Sequence, residues 1–218
     1  MKEYRYYLFD LDGTLLDTTD LIAHCFHHAC YSHCRLPIQP DQVYPILGLP
    51  LKESFQRLLG ERKNINTDLL VDTYKRHQLT VYPQYLKIFP NVKSTLRQLR
   101  KCGKKIAIVT SRKKETATLY LRRMEIEGYF ETVVTPEDTL EHKPHPAPAR
   151  KALELIRGTR ESALFIGDSL FDVECGHRCG MDTALVLWSR STYVSGAVSP
   201  TYTIEDISEL VSFAAKAG

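Results

Sequence analysis

Two carboxylates spaced two residues apart, Asp10 and Asp12, close an apolar run that begins at Tyr6 and stops at Gly13. Far along the chain, Gly167-Asp168-Ser169 ends a second apolar run, and Asp172 follows one helical turn later. Thr110-Ser111 ends a third run. A single lysine, Lys143, sits in the proline-broken segment His142-Lys-Pro-His-Pro146. If these run ends share one sheet edge, three or four carboxylates converge there and repel each other. They stay ionised together only when a cation neutralises them. Oxygen-only ligands, with no His or Cys at these ends, favour Mg2+, which keeps part of its water and shares its shell with phosphate. Thr110, Ser111 and the start of the next helix form a phosphate cradle, to which Lys143 adds positive charge. Carboxylates, Mg2+, hydroxyls and a lysine are the parts that phosphoryl transfer needs. Taken singly, each has a plainer reading: Asp168 and Thr110-Ser111 as caps, Asp172 as an exposed helix residue. Their joint order at successive run ends is what points to a site.

The elements that must position these residues alternate. Apolar runs predict strands at 6–12, 105–110, 130–135, 163–167 and 183–188. Helical spacing predicts helices at 91–102, 114–125, 147–157, 170–179 and 205–216. Such alternation implies right-handed βαβ units and a parallel sheet, with ligands bound at the carboxyl ends of the strands. With a side-chain period of two, Asp10 and Asp12 would lie on one side of their strand. Between 17 and 84 the patterns are helical: Leu21, Ile22, Cys25, Phe26 and Ala29; then Leu51, Phe55, Leu58 and Leu59; then Leu69, Leu70, Thr73, Tyr74 and His77. Residues 35–50, with Pro37, Pro40, Pro45, Gly48 and Pro50, read as loop or broken helix. The expected organisation is an α/β core of residues 1–15 and 85–218, interrupted by a helical insertion of residues 16–84.

The 218 residues are 43% hydrophobic and 25% charged, a globular balance that excludes wholesale disorder. No apolar stretch approaches the ~18 residues of a membrane-spanning helix. The polar start Met1–Tyr7 lacks an apolar signal core, so a cytoplasmic protein is expected. A net charge of +3 does not imply nucleic acid, and Arg112-Lys113-Lys114 reads as charge near an anionic substrate. Six cysteines without a CxxC pair read as reduced, mostly packed thiols. His24, Cys25, His27, His28, Cys30, His33 and Cys34 crowd one predicted helix. His27, Cys30 and Cys34 share an edge that could bind zinc, but packed cysteines and solvated histidines are the expected arrangement.

Asp10-Leu-Asp-Gly-Thr-Leu15, Thr110-Ser111, Lys143-Pro144 and Gly167-Asp-Ser-Leu-Phe-Asp172 resemble, in this order, the four motifs of the haloacid dehalogenase (HAD) superfamily. The match spans essentially the whole chain and implies a Rossmann-like α/β core with an inserted helical cap. Phe89-Pro-Asn-Val92 resembles the family's return from the cap, with Asn91 in place of a glycine. The resemblance implies Asp10 as a nucleophile that forms an aspartyl-phosphate, and Asp12 as general acid and then base. It implies Mg2+ held by Asp10, the Asp12 carbonyl and Asp168, with Asp172 supporting the shell. Thr110 and the Ser111 amide would hold phosphoryl oxygens, and Lys143 would neutralise charge on Asp10. Dehalogenases and phosphonatases of the superfamily lack the second aspartate, so Asp12 favours cleavage of a P–O bond. The Gly167-Asp168-Ser169 form, with Ile46-Leu-Gly-Leu-Pro-Leu51, Val133-Val-Thr-Pro136 and Val186-Leu-Trp188, resembles phosphoglycolate phosphatases and related inorganic pyrophosphatases. A β-phosphoglucomutase-like mutase and a catalytically silent binding module are the alternatives. The expected substrate is a small phosphorylated metabolite and the expected assembly a monomer or homodimer. Lys52, Arg57, Lys75 and Arg76 are the cap's cations, and Lys52 is expected to touch substrate.

Overall fold

The computed structural model describes residues 2–62, 65–190 and 198–214. Its strands are β1 (Tyr6–Phe9), β2 (Leu16–Asp17), β3 (Lys87–Ile88), β4 (Lys105–Val109), β5 (Thr132–Val134), β6 (Ala163–Gly167), β7 (Asp182–Val186) and β8 (Tyr202–Ile204). Its helices are α1 (Thr19–Cys34), the single turn α2 (Pro40–Val43), α3 (Leu51–Leu59), α4 (Thr67–Tyr85), α5 (Val92–Lys101), α6 (Lys114–Arg123), α7 (Ala147–Ile156) and α8 (Leu170–Cys179). The chain divides into two compact units. One comprises Met1–Leu16, Ile88–Ser189 and Tyr193–Gly218; the other comprises Asp17–Lys87 and Arg190–Thr192. The chain passes between the units at 16/17, at 87/88 and again after Ser189. Arg190 groups with the helical unit and pairs with Asp20 at 3.0 Å.

In the first unit, six strands form a parallel sheet in the order β5-β4-β1-β6-β7-β8. β1 is central: Tyr6–Phe9 pair with Lys105–Ile108 on one side and Ala163–Ile166 on the other. Leu8 lies in a core with Ala107, Phe165, Ala152, Ile156 and Cys175, sealed by α7 and α8. Tyr7 and Phe9 point to the opposite face, where both are fully buried. Burial on both faces is why the strands are continuous apolar runs.

Two sequence expectations fail here. The apolar run at 6–12 gives a strand only as far as Phe9. The predicted helix at 205–216 is instead a 3-10 turn at Ile207–Val211, preceded by the unforeseen edge strand β8. Residues 215–218 of that predicted helix lie outside the described residues.

In the second unit, α1 packs on α4, and α3 on α4. Phe26 meets Phe55 and Tyr74 at ring-centroid distances of 4.8 and 5.0 Å. Asn66 caps α4, its side chain accepting from the Asp68 and Leu69 amides. No described helix is long and apolar enough to cross a membrane. His27 contacts the Ile38 carbonyl through Nδ1, Cys34 donates to the Cys30 carbonyl, and this trio forms no metal-ligand group.

Across the same helix pair, the His77 ring stacks on His28 at 3.6 Å and on His24 at 5.1 Å. Burial, and then the neighbouring histidines, push His24 and His77 below the ordinary imidazole value of 6.5. The unfolded chain therefore binds protons first. Stability is complete above that value and is lost as pH falls below it. The thermal midpoint should fall between pH 7.5 and 5.5 by about 2–4 °C more in the wild type than in His77→Phe. Equal falls in both proteins would remove the histidine stack as the cause.

Candidate active site

β1 delivers Asp10 to the carboxyl edge of the sheet, where its N–H donates to the Ile166 carbonyl at 2.8 Å. The chain then turns back on itself. The Leu15 and Leu16 amides donate to Leu11, and the Gly13 amide donates to Leu16. Gly13 has φ +83°, and a Cβ there would collide with the Asp168 carboxylate, so only glycine fits. Asp12 is placed by this turn, where it bridges to Leu16, and not by strand periodicity. That corrects the expectation that Asp10 and Asp12 share one strand face.

Next door, β6 delivers Gly167 and Asp168, and α8 begins after Ser169. The Ser169 amide and hydroxyl donate to Asp172 Oδ2 at 3.1 and 2.5 Å. Asp172 is only 1% exposed, so it is not the solvated helix residue of the plainer reading. A side chain on Gly167 would run into Asp172. Lys143, from the segment before α7, donates to Asp10 Oδ1 at 2.5 Å and to Asp172 Oδ1 at 2.7 Å. Asp168 Oδ2 accepts from the Ser189 hydroxyl at 2.6 Å. Asp10, Asp168 and Asp172 are all buried, and each offers an oxygen within 4.8 Å of the others.

Burial, with help from Asp172, Asp168 and Asp12, pushes the Asp10 carboxyl well above the usual range, against the pull of Lys143. Burial alone would lower the Lys143 ammonium, but Asp10 and Asp172 outweigh it and hold it above the ordinary lysine value. One lysine against three carboxylates leaves a buried excess of negative charge. An all-oxygen donor set carrying that excess fits a hard divalent cation such as Mg2+.

Around this cluster, Thr110 continues β4, its amide donating to Val134 at 3.0 Å. Thr110, Ser111, Lys143, Thr139 and His142 line a cavity of about 10 Å³, room for roughly one water. Asp12 faces Arg112, whose Nε and Nη2 donate to the two carboxylate oxygens at 2.8 and 2.7 Å. Lys52 belongs to the other unit. It lies in the first turn of α3, and is exposed and paired with Asp68 at 2.8 Å.

The first unit therefore brings together Asp10, Asp12, Thr110, Ser111, Lys143, Asp168 and Asp172. Sequence reasoning missed two neighbours. Arg112 was legible only as part of a basic run, although it directly follows Thr110-Ser111. Ser189 lies just beyond the carboxyl end of β7. The signal that marks it is the same one that marks Thr110 and Asp168: a polar residue just past the carboxyl end of an apolar strand.

A family model described as haloacid dehalogenase-like hydrolase matches residues 7–186. A protein of Caldanaerobacter subterraneus is 36% identical over 205 residues, covering 94% of this chain and 91% of its own length. "Pyrophosphatase PpaX" of Oceanobacillus iheyensis is 31% identical over 209 residues, covering 95% of each chain. The crystal structure of a predicted phosphoglycolate phosphatase from Haemophilus somnus superposes with a TM-score of 0.86 at 24% identity, covering 97% of this chain and 98% of that one.

Proposed function

The chain belongs to the haloacid dehalogenase-like hydrolases, and on that premise we propose a Mg2+-dependent phosphohydrolase that cleaves pyrophosphate or a phosphoglycolate-like monoester through an aspartyl-phosphate. The observation that carries this reading is the buried carboxylate trio at the sheet edge, with Lys143 bridging Asp10 and Asp172, beside the hydroxyls of Thr110 and Ser111. A carboxylate of Asp10 attacks phosphorus, the bond to the leaving oxygen breaks, and that oxygen takes the proton of Asp12. Water then attacks the phosphorus of the aspartyl-phosphate and gives its proton to Asp12. The Asp10–phosphorus bond breaks, and inorganic phosphate leaves. Thr110 and the Ser111 amide hold the phosphoryl oxygens, while Lys143 offsets charge on Asp10 and on the transferring group. Asp10, Asp168 and the Asp12 carbonyl would hold Mg2+, with Asp172 supporting them. Bound there, the ion supplies charge stabilisation for the transferring phosphoryl group.

In this reading the Asp17–Lys87 unit is a cap that sets specificity, in a cytoplasmic enzyme needing neither nucleic acid nor membrane. The relatives named pyrophosphatase favour pyrophosphate as the first substrate to assay. Phosphate release from pyrophosphate, phosphoglycolate and p-nitrophenyl phosphate with Mg2+ tests the proposal. Release from at least one of the first two is expected. Isomerisation of a phosphosugar without release would make the protein a mutase, and no turnover at all would make it a binding module. Lys52→Ala should lower kcat/KM for the preferred substrate about tenfold, the worth of one charge-assisted contact, and leave p-nitrophenyl phosphate nearly unchanged. Equal small effects on both would return Lys52 to its ion pair with Asp68 and move the specificity role to Arg57, Lys75 or Arg76.

A further inference from the structure

We propose that Arg112 is a positioning residue that fixes the Asp12 carboxyl group for proton transfer at the leaving oxygen; this rests on the acid–base reading of Asp12. The pairing is two-pronged, Nε to Oδ2 at 2.8 Å and Nη2 to Oδ1 at 2.7 Å. A guanidinium fork fixes both the direction and the plane of a carboxylate, which a point charge cannot do. The fork is itself held on two sides. Its central carbon, Cζ, lies over the Tyr120 ring, 4.4 Å from the centroid, and Tyr120 is fully buried. At its other end, the Arg112 amide donates to Thr110 Oγ1 at 3.0 Å. One residue thus ties the phosphate cradle to the proposed acid. Asp12 needs that support, because it sits in a turn after β1 has ended and its side chain is 21% exposed, whereas that of Arg112 is 8% exposed.

To donate its proton, Asp12 must free one oxygen from the fork and present it to the leaving oxygen. The other guanidinium bond keeps the group in place. The P–O bond breaks as the leaving oxygen takes the Asp12 proton, and in the second half-reaction water returns a proton to the same carboxylate. A residue that only positions this acid matters in proportion to how much the leaving group needs a proton. A nitrophenolate leaves without one, and an alkoxide does not.

The test compares kcat/KM of the full-length protein on p-nitrophenyl phosphate and on an alkyl phosphate. The variants are Arg112→Met, Arg112→Lys, Asp12→Asn and the Asp12→Asn/Arg112→Met double variant. General acid catalysis contributes about 10²–10⁴-fold. Arg112→Met should therefore cost at least about thirtyfold on the alkyl phosphate and under about threefold on p-nitrophenyl phosphate. Arg112→Lys should fall between Arg112→Met and wild type, and it carries the test alone if Arg112→Met does not fold. The double variant should be no slower than Asp12→Asn. An equal fall on both substrates would overturn the proposal and place Arg112 on the phosphoryl group or in the fold. If Asp12→Asn is selective and neither Arg112 variant is, the positioning role alone fails. If Asp12→Asn is not selective, the acid–base reading beneath it fails.

Discussion

Asp10→Asn should bring phosphate release below about a thousandth of the wild-type kcat, since removing a nucleophile typically costs at least that much. The amide keeps the shape of the carboxylate and cannot attack phosphorus. Thermal unfolding should be unimpaired. Asp10 is buried among like charges that push its carboxyl upward, and its loss leaves Lys143 paired to Asp172. Removing one of three crowded carboxylates thus relieves repulsion while the fold keeps its ion pair. Mass spectrometry of wild type quenched during turnover should find one added phosphoryl group, absent from the variant. A variant retaining more than about a thousandth of the wild-type kcat would end covalent catalysis at this position.

The second large effect is chelation. EDTA should abolish turnover and Mg2+ should restore it. Ca2+ should occupy the site and support under about a hundredth of the rate, because its larger, looser shell misaligns the in-line attack. The oxygen-only trio Asp10, Asp168 and Asp172 motivates both halves of this expectation. Full activity in EDTA, or a strict need for Zn2+, would overturn it. Competition by Ca2+, read as a rise in the Mg2+ concentration for half-maximal rate, separates a poor ion from an excluded one.

Much of this site was legible because backbone geometry is periodic and a buried parallel strand is an uninterrupted apolar run. Wherever such a run ends, a side chain is delivered to one edge, and Asp10, Thr110 and Asp168 were found that way. What failed had competing physics. The run at 6–12 looked like one strand, but Gly13 adopts a left-handed conformation and the turn around Leu11 recruits the Leu15 and Leu16 amides. The 205–216 region has helical spacing at Ile207, Leu210 and Val211. Asp206 and Glu209 nevertheless satisfy the local amides in a tighter turn. β8 is three residues long at a sheet edge, too short for a periodic signal. The pairing of Arg112 with Asp12 joins residues that only the tertiary fold brings together.

The position of β1 in its sheet also dictates an order of events during synthesis. Tyr6–Phe9 leave the ribosome before either of their partners, since one neighbour starts at Lys105 and the other at Ala163. At about 5–20 residues per second, the second edge stays unpaired for roughly 8–30 seconds. Through that interval Tyr7-Leu8-Phe9 keeps one open apolar edge, the kind of edge that templates aggregation. The helical unit has no such wait, since its α1, α3 and α4 lie within one contiguous stretch of chain and pack on each other. Translation therefore delivers β6 only after the whole helical unit has been made, and the central strand is the piece that waits longest for its second neighbour.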